Sequence, residues 1–391
     1  MRSPDSIAGT AGPSGETPAS VAAERVGSEA RAPRIVEIGN TGFMHAVFPA
    51  TTSFFSTWYD ETRSDPESGR HIVRLDTLRE LAAQLADPTV DLVVVHALTW
   101  APWSLRALGR TLFRRSVLEG RFPAVRGLGP QLLRGRVAAP IAVLDFDDPA
   151  VVDRANRFLL DRATAYFKRE LPPDHWQAFS GTLHWRVPTA RFRRVSRNRQ
   201  RMEKLRPLSL GVPLEVFRKT LPAPLPFSEK TADVFFAGRV KDSSTVREQG
   251  LDELLALRAE GVVVDIPEKA LPLDAYLERL ARARLVWSPA GYGWQCFRHY
   301  ETALCGSVVL ADRQTIERHA PLIDGEHALY YDVEPGGLSR VVRAALADPA
   351  RLERIAAAGR AHVLAHHTPP AIARHVVATT LRLAGNLPDP S

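Results

Sequence analysis

The chain has 391 residues, a mass of 43.2 kDa, 45% apolar and 24% charged residues, and a net charge of +7. At roughly 150 residues per domain this length implies two domains, and the composition excludes a small disulfide-stapled module and wholesale disorder. Two cysteines, no leader-like N-terminal run and no apolar stretch of about 18 residues imply a reducing cytoplasm, with any membrane contact peripheral. The basic balance leaves three partner classes: nucleic acid, an anionic membrane surface or a phosphorylated substrate.

Residues 1–33 hold many Ser, Gly, Pro, Ala and Glu and no aromatic residue. Such a tail cannot bury enough surface to offset its ordering entropy. Short apolar runs then alternate with helical patterns: 35–38, 71–75, 92–95 and 141–144. Near-continuous apolar strands separated by helices predict a parallel sheet covered on both faces. The proline-rich stretch 207–230 reads as a linker of restricted flexibility. A second series of strands follows at 234–237, 262–264, 285–287, 308–310 and 329–331. Helical patterns fall at 251–260, 273–282, 294–304, 338–346 and 351–364, and an amphipathic run at 371–383 could pack on either domain. The fold class expected is α/β, two doubly wound Rossmann-like units. The divisions are a tail at 1–33, a first domain at 34–211, a second at 212–370 and a C-terminal helix and tail at 371–391.

The most informative segment runs from Ser288 to Leu310. A strand ending at Trp287 feeds a loop holding Gly291, Tyr292 and Gly293, and a helix follows as far as Gly306. Glycines let backbone approach a ligand, and free N–H groups at a helix start favour phosphate oxygens. On that helix Phe297, Tyr300 and Leu304 share one face, read as core. Arg298, Glu301 and Cys305 share another, read as open to ligand. Arg298 could pair with a diphosphate and Glu301 could accept from ribose hydroxyls. The turn Phe236-Ala-Gly238-Arg239-Val-Lys241 ends the first strand of the same unit and would open onto the same crevice. There Arg239 and Lys241 could neutralise a pyrophosphate. The plain alternative is a glycine turn before an ordinary helix whose Arg298 and Glu301 pair locally, with Arg239 and Lys241 on a solvated basic turn.

These motifs, with Leu273-Asp-Ala-Tyr-Leu-Glu-Arg-Leu, Cys305-Gly-Ser-Val-Val and Asp324-Gly-Glu-His, resemble GT-B glycosyltransferases. The likeness is to the bacterial spore-maturation type and, more distantly, to exostosin-type enzymes. The resemblance implies two Rossmann-like domains facing a cleft and transfer from a nucleotide diphosphate-sugar, with no cofactor and no metal. It assigns the ribose to Glu301 and the diphosphate to Gly238, Arg239, Lys241, Gly291, Gly293 and Arg298, with Tyr292 in the same loop. Many retaining members carry a glutamate eight residues before the ribose glutamate. Here that position is Gly293, which leaves both stereochemical outcomes open.

In the first half, Gly39-Asn-Thr-Gly-Phe-Met-His45 follows a strand. His45 is therefore a candidate base for an acceptor hydroxyl. Asp145, Asp147 and Asp148 end another strand and compete for that role, Asp147 foremost, or cap the following helix. Lys168 and Arg169 read as surface charges. From 186 to 206 nine Lys or Arg stand against one acid, and Arg106, Arg110 and Arg114 recur every fourth residue beside leucines. Regions 100–136 and 186–206 could touch an anionic membrane or a phosphorylated or lipid-linked acceptor. Two alternatives remain: a basic nucleic-acid-binding protein, for which the run offers a single aromatic residue, Phe192, and a nucleotide-sugar epimerase or inactive sugar-binding relative.

Overall fold

A computed structural model describes residues 31–58, 65–98, 126–184, 187–192, 196–241 and 243–386. The expected basic helix around Arg106, Arg110 and Arg114 lies outside the described residues. Among the described residues no helix is long and apolar enough to cross a membrane.

Two parallel sheets organise the chain. The first contains β1 (Ile35–Gly39), β2 (Thr52–Ser56), β3 (Arg70–Ile72), β4 (Leu92–His96), β5 (Ile141–Asp145), β6 (Ala165–Lys168) and β9 (Leu205–Pro207), in the order β3-β2-β1-β4-β5-β6-β9. A small antiparallel pair, β7 (Ser180–His184) and β8 (Val187–Phe192), stands apart from it. The second sheet has β10 (Ala232–Phe235), β11 (Val264–Asp265), β12 (Ala283–Trp287), β13 (Val308–Asp312) and β14 (Leu329–Tyr331), in the order β11-β10-β12-β13-β14. Each order reverses direction once, between β1 and β4 and between β10 and β12. Loops diverge there and leave a crevice at the strands' carboxyl ends. Both faces of each sheet are covered: in β1 Val36 and Ile38 enter one core, and Ile35 enters another.

Helices that matter for the site are α1 (Phe43–Val47), α2 (Ser196–Met202), α3 (Thr245–Ala259), α4 (Leu273–Arg282), α5 (Phe297–Leu304), α6 (Gly337–Leu346), α7 (Pro349–His366) and α8 (Pro369–Leu383). The amphipathic run at the end of the chain packs on the first domain: Ile372, Ala373 and Val376 of α8 join Ile35, Met44 and Leu92 in one core. The chain's two crossings between sheets lie side by side, with Val212 N donating to His367 O at 2.9 Å and Ser209 Oγ 2.7 Å from His367 Nδ1.

Histidines gather at this crossing. The His319 and His375 rings stack with centroids 3.7 Å apart, and His327 and His362 stack at 4.1 Å. His366 and His367 complete the group, each within 5.4 Å of His362 between ring centroids. Burial, reinforced by the neighbouring rings, pushes His319 and His375 down to about 4 and His367 down to about 3.

Candidate functional site

The reversal point of the second sheet opens into a cavity of about 570 Å³. Its wall takes Gly238 and Arg239 from the loop after β10, residues 267–271 after β11, and Phe297, Arg298 and Glu301 from α5. Four sequence-predicted residues, Gly238, Arg239, Arg298 and Glu301, therefore converge.

Arg298 is only 7% exposed. Its Nη2 donates to Ala237 O at 2.5 Å and its guanidinium lies 5.1 Å from the Phe236 ring centre, but buried Nε and Nη1 have no partner. A buried donor left unmatched costs free energy, so it marks a place where a bound acceptor is favourable. Gly238 makes the approach possible: a Cβ there would stand 2.7 Å from Arg298 Nη2. Glu301 accepts from the Tyr276 hydroxyl at 2.8 Å. Burial raises the Glu301 carboxyl above its usual range, and burial beside Glu301 raises the Tyr276 phenol.

The other expected donor residues sit differently. Lys241 is exposed and lies off the cavity wall; its carbonyl accepts from Arg239 Nε at 3.1 Å. Gly291, Tyr292 and Gly293 belong to the loop leading to α5 and likewise do not line the cavity. Arg247, which sequence reasoning missed, holds the front of that loop. Its Nε donates to Ala290 O at 3.1 Å, and its Nη1 donates to Arg239 O at 2.8 Å. Asp312 Oδ1 accepts from Ala290 N at 2.7 Å.

Several expectations need correction. The helix begins at Phe297 rather than at Trp294, because the Trp294 and Gln295 amides donate to Glu170 at 2.9 and 3.1 Å and are not free for phosphate. Phe297 is 44% exposed on the cavity wall, whereas Tyr300 and Leu304 are core. Cys305, expected on a ligand-facing side, is fully buried, and burial pushes its thiol up to about 12. Lys168 and Arg169, read as surface charges, are buried.

Lys168 pairs with Asp145 at 3.2 Å, and Asp145 also accepts from the Tyr166 hydroxyl at 2.7 Å. Beside them, burial and then the Asp145 charge raise Asp147 to about 7. Arg169 binds Asp148 at 2.7 Å and donates to Phe146 O and to Gln295 O, which ties the β5 loop to the second domain. His45 lies in α1 with Nε2 2.7 Å from Ser68 O. A dyad that sequence reasoning missed stands nearby: His96 Nε2 is 2.9 Å from Glu37 Oε1, and fully buried Glu37 also accepts from the Met44 and His45 amides at 3.0 Å. Its signal was present, since each is a polar residue within an apolar strand.

Among the described residues of the 186–206 run, much of the charge is bound within the fold. Arg201 forks onto Asp161 at 2.7 and 2.8 Å, Arg197 reaches the same carboxylate at 3.2 Å, and Lys204 donates to backbone carbonyls. Among the described residues no group of three or more His, Cys, Asp or Glu is placed to hold a metal ion.

Residues 248–378 match the family model described as glycosyl transferase-like. No curated protein sequence matches the chain. Sucrose-phosphate synthase from Thermosynechococcus elongatus has a similar structure, at 13% identity and a TM-score of 0.52, over 90% of this chain and 99% of that one. A glycosyltransferase from Rickettsia africae is similar at 8% identity and 0.51, over 90% and 98%. An alpha-glucosyltransferase in complex with UDP and a 13-mer DNA is similar at 11% identity and 0.52, over 89% and 100%. Residues 248–378 thus resemble a glycosyl transferase-like domain, and the chain as a whole has the two-domain GT-B fold.

Proposed function

We propose that this glycosyltransferase moves a sugar from a nucleotide diphosphate-sugar, held in the second domain's cavity, to an acceptor hydroxyl presented by the first domain. The observation that carries the reading is Arg298, whose buried Nε and Nη1 lack partners on the wall of a 570 Å³ cavity. A diphosphate supplies the missing acceptors through charge-assisted hydrogen bonds. Glu301 takes the ribose, and residues 267–271 border the space left for the base. The solved alpha-glucosyltransferase of the same fold holds UDP, which supports this class of donor.

The charge of the leaving diphosphate falls in this reading to Arg298 and Arg239 rather than to a metal. Asp147, poised near 7, is assigned as the base that takes the acceptor proton while the new bond forms at the anomeric carbon. His45 is the second candidate: its Nε2–H donates to Ser68 O, which leaves the Nδ1 lone pair to take a proton. The free thiols Cys296 and Cys305 suit a reducing cytoplasm.

Calorimetry with UDP, GDP, dTDP and ADP tests the donor. At least one should bind, and Glu301→Ala should weaken it by about tenfold or more. Binding by none, or binding that Glu301→Ala leaves unchanged, rules the reading out.

A further inference from the structure

The loop between β12 and α5 is held by a different domain at each end. Its front, at Pro289 and Ala290, is fixed within the second domain by Arg247 and Asp312. Its rear, at Trp294 and Gln295, is fixed by the first domain: the amides donate to Glu170, and Gln295 Nε2 donates to Arg169 O at 2.6 Å and Leu208 O at 3.0 Å. Gln295 Oε1 accepts from Leu210 N at 2.9 Å and from the Tyr300 hydroxyl at 2.8 Å, so its amide is fully matched.

Between the two anchors stands Gly293. A Cβ there would lie 2.8 Å from Glu170 Oε1 and 2.9 Å from its carboxyl carbon, so the carboxylate fills the space a side chain would take. Glu170 is 1% exposed and Gln295 3% exposed, so water cannot stand in for either. The next residues, Cys296, Phe297 and Arg298, line the donor cavity.

We propose that Glu170 is a positioning residue of the first domain: by holding the Trp294 and Gln295 amides it fixes the segment that presents Arg298 to the donor's diphosphate. The assignment rests on the donor reading given above. Its consequence is that the shape of the diphosphate end of the cavity depends on where the first domain sits, whereas the ribose end, built from Tyr276 and Glu301 within one domain, does not. Gly293 is the complementary half of the same device, since only a residue without a side chain leaves room for the carboxylate.

The test is a double-mutant cycle on the full chain, read first by amide hydrogen exchange of the 290–297 peptide. Glu170→Ala should speed exchange at Trp294 and Gln295 by about tenfold. Gly293→Ala should do the same alone, yet add less than about twofold in the Glu170→Ala background, because the clash is gone. The second readout is calorimetry with whichever of UDP, GDP, dTDP and ADP binds, and with its nucleoside. Glu170→Ala should weaken the diphosphate about tenfold and leave the nucleoside unchanged. Additive exchange effects, unchanged exchange in Glu170→Ala, or equal losses for diphosphate and nucleoside each overturn the proposal. If no nucleotide binds the wild-type protein while exchange stays coupled, the donor reading falls and the hold of Glu170 on the loop stands.

Discussion

The carboxyl ends of the two sheets handle buried charge in opposite ways. At the first, Asp145 satisfies Lys168 and Tyr166, and Glu37 accepts from two amides and His96. At the second, Arg298 is also buried but leaves Nε and Nη1 without acceptors. A closed polar network contributes to the fold. An open one carries a cost that a ligand removes.

The comparison holds while the domains stay joined, and acid should break that joint with the largest effect. His319, His367 and His375 have folded pKa values pushed well below their ordinary 6.5. Their contribution is complete above about pH 6.5 and is lost as pH falls toward 4, because the unfolded chain then binds more protons. Each histidine neutral only in the folded state should cost about 1.4 kcal/mol per pH unit in that window. Urea unfolding at pH 7.5, 6 and 5 measures the slope; a flat profile would show that the stacked rings tolerate charge.

Next in size is Lys168→Met. It leaves Asp145 buried without its counter-charge and should destabilise the protein by about 3–5 kcal/mol in chemical denaturation. A loss under about 1 kcal/mol would mean that the network is not closed as described. The smallest effect on stability is expected from Arg298→Met, which removes two unmatched donors and keeps an aliphatic stem. Its unfolding free energy should stay within about 1 kcal/mol of wild type, while affinity for a nucleoside diphosphate falls about tenfold to a hundredfold. If both substitutions destabilise alike, the contrast between the two ends disappears.

The parts of this architecture that were legible in the sequence are those set by local pattern. Runs such as Leu-Val-Val-Val at 92–95 gave strands, and the periodicity of 273–282 gave α4 with its observed bounds. Strand β2, Thr-Ser-Phe-Phe-Ser, was missed because hydroxyl residues disguise a buried strand, as was β9, whose residues are Leu-Arg-Pro. Lys168 and Arg169 were misread for a different reason. Charge in one sequence reads as solvent-facing unless its partner is visible, and Asp145 and Gln295 lie 23 and 126 residues from the groups they meet. In the candidate site, Arg298 and Glu301 were found through helical spacing and the resemblance. Phe297 was assigned to the core because a face can be counted from sequence, but its surroundings cannot.

The packing of α8 on the first domain has a consequence for how the protein is made. Ile372, Ala373 and Val376 complete a core begun by Ile35, Met44 and Leu92, which leave the ribosome far earlier in synthesis. The first domain is therefore discontinuous, with the second inserted between its body and its last helix. As the chain leaves the ribosome, the inserted domain has its full set of strands while its neighbour still exposes an apolar face. The part made first is the last to be finished.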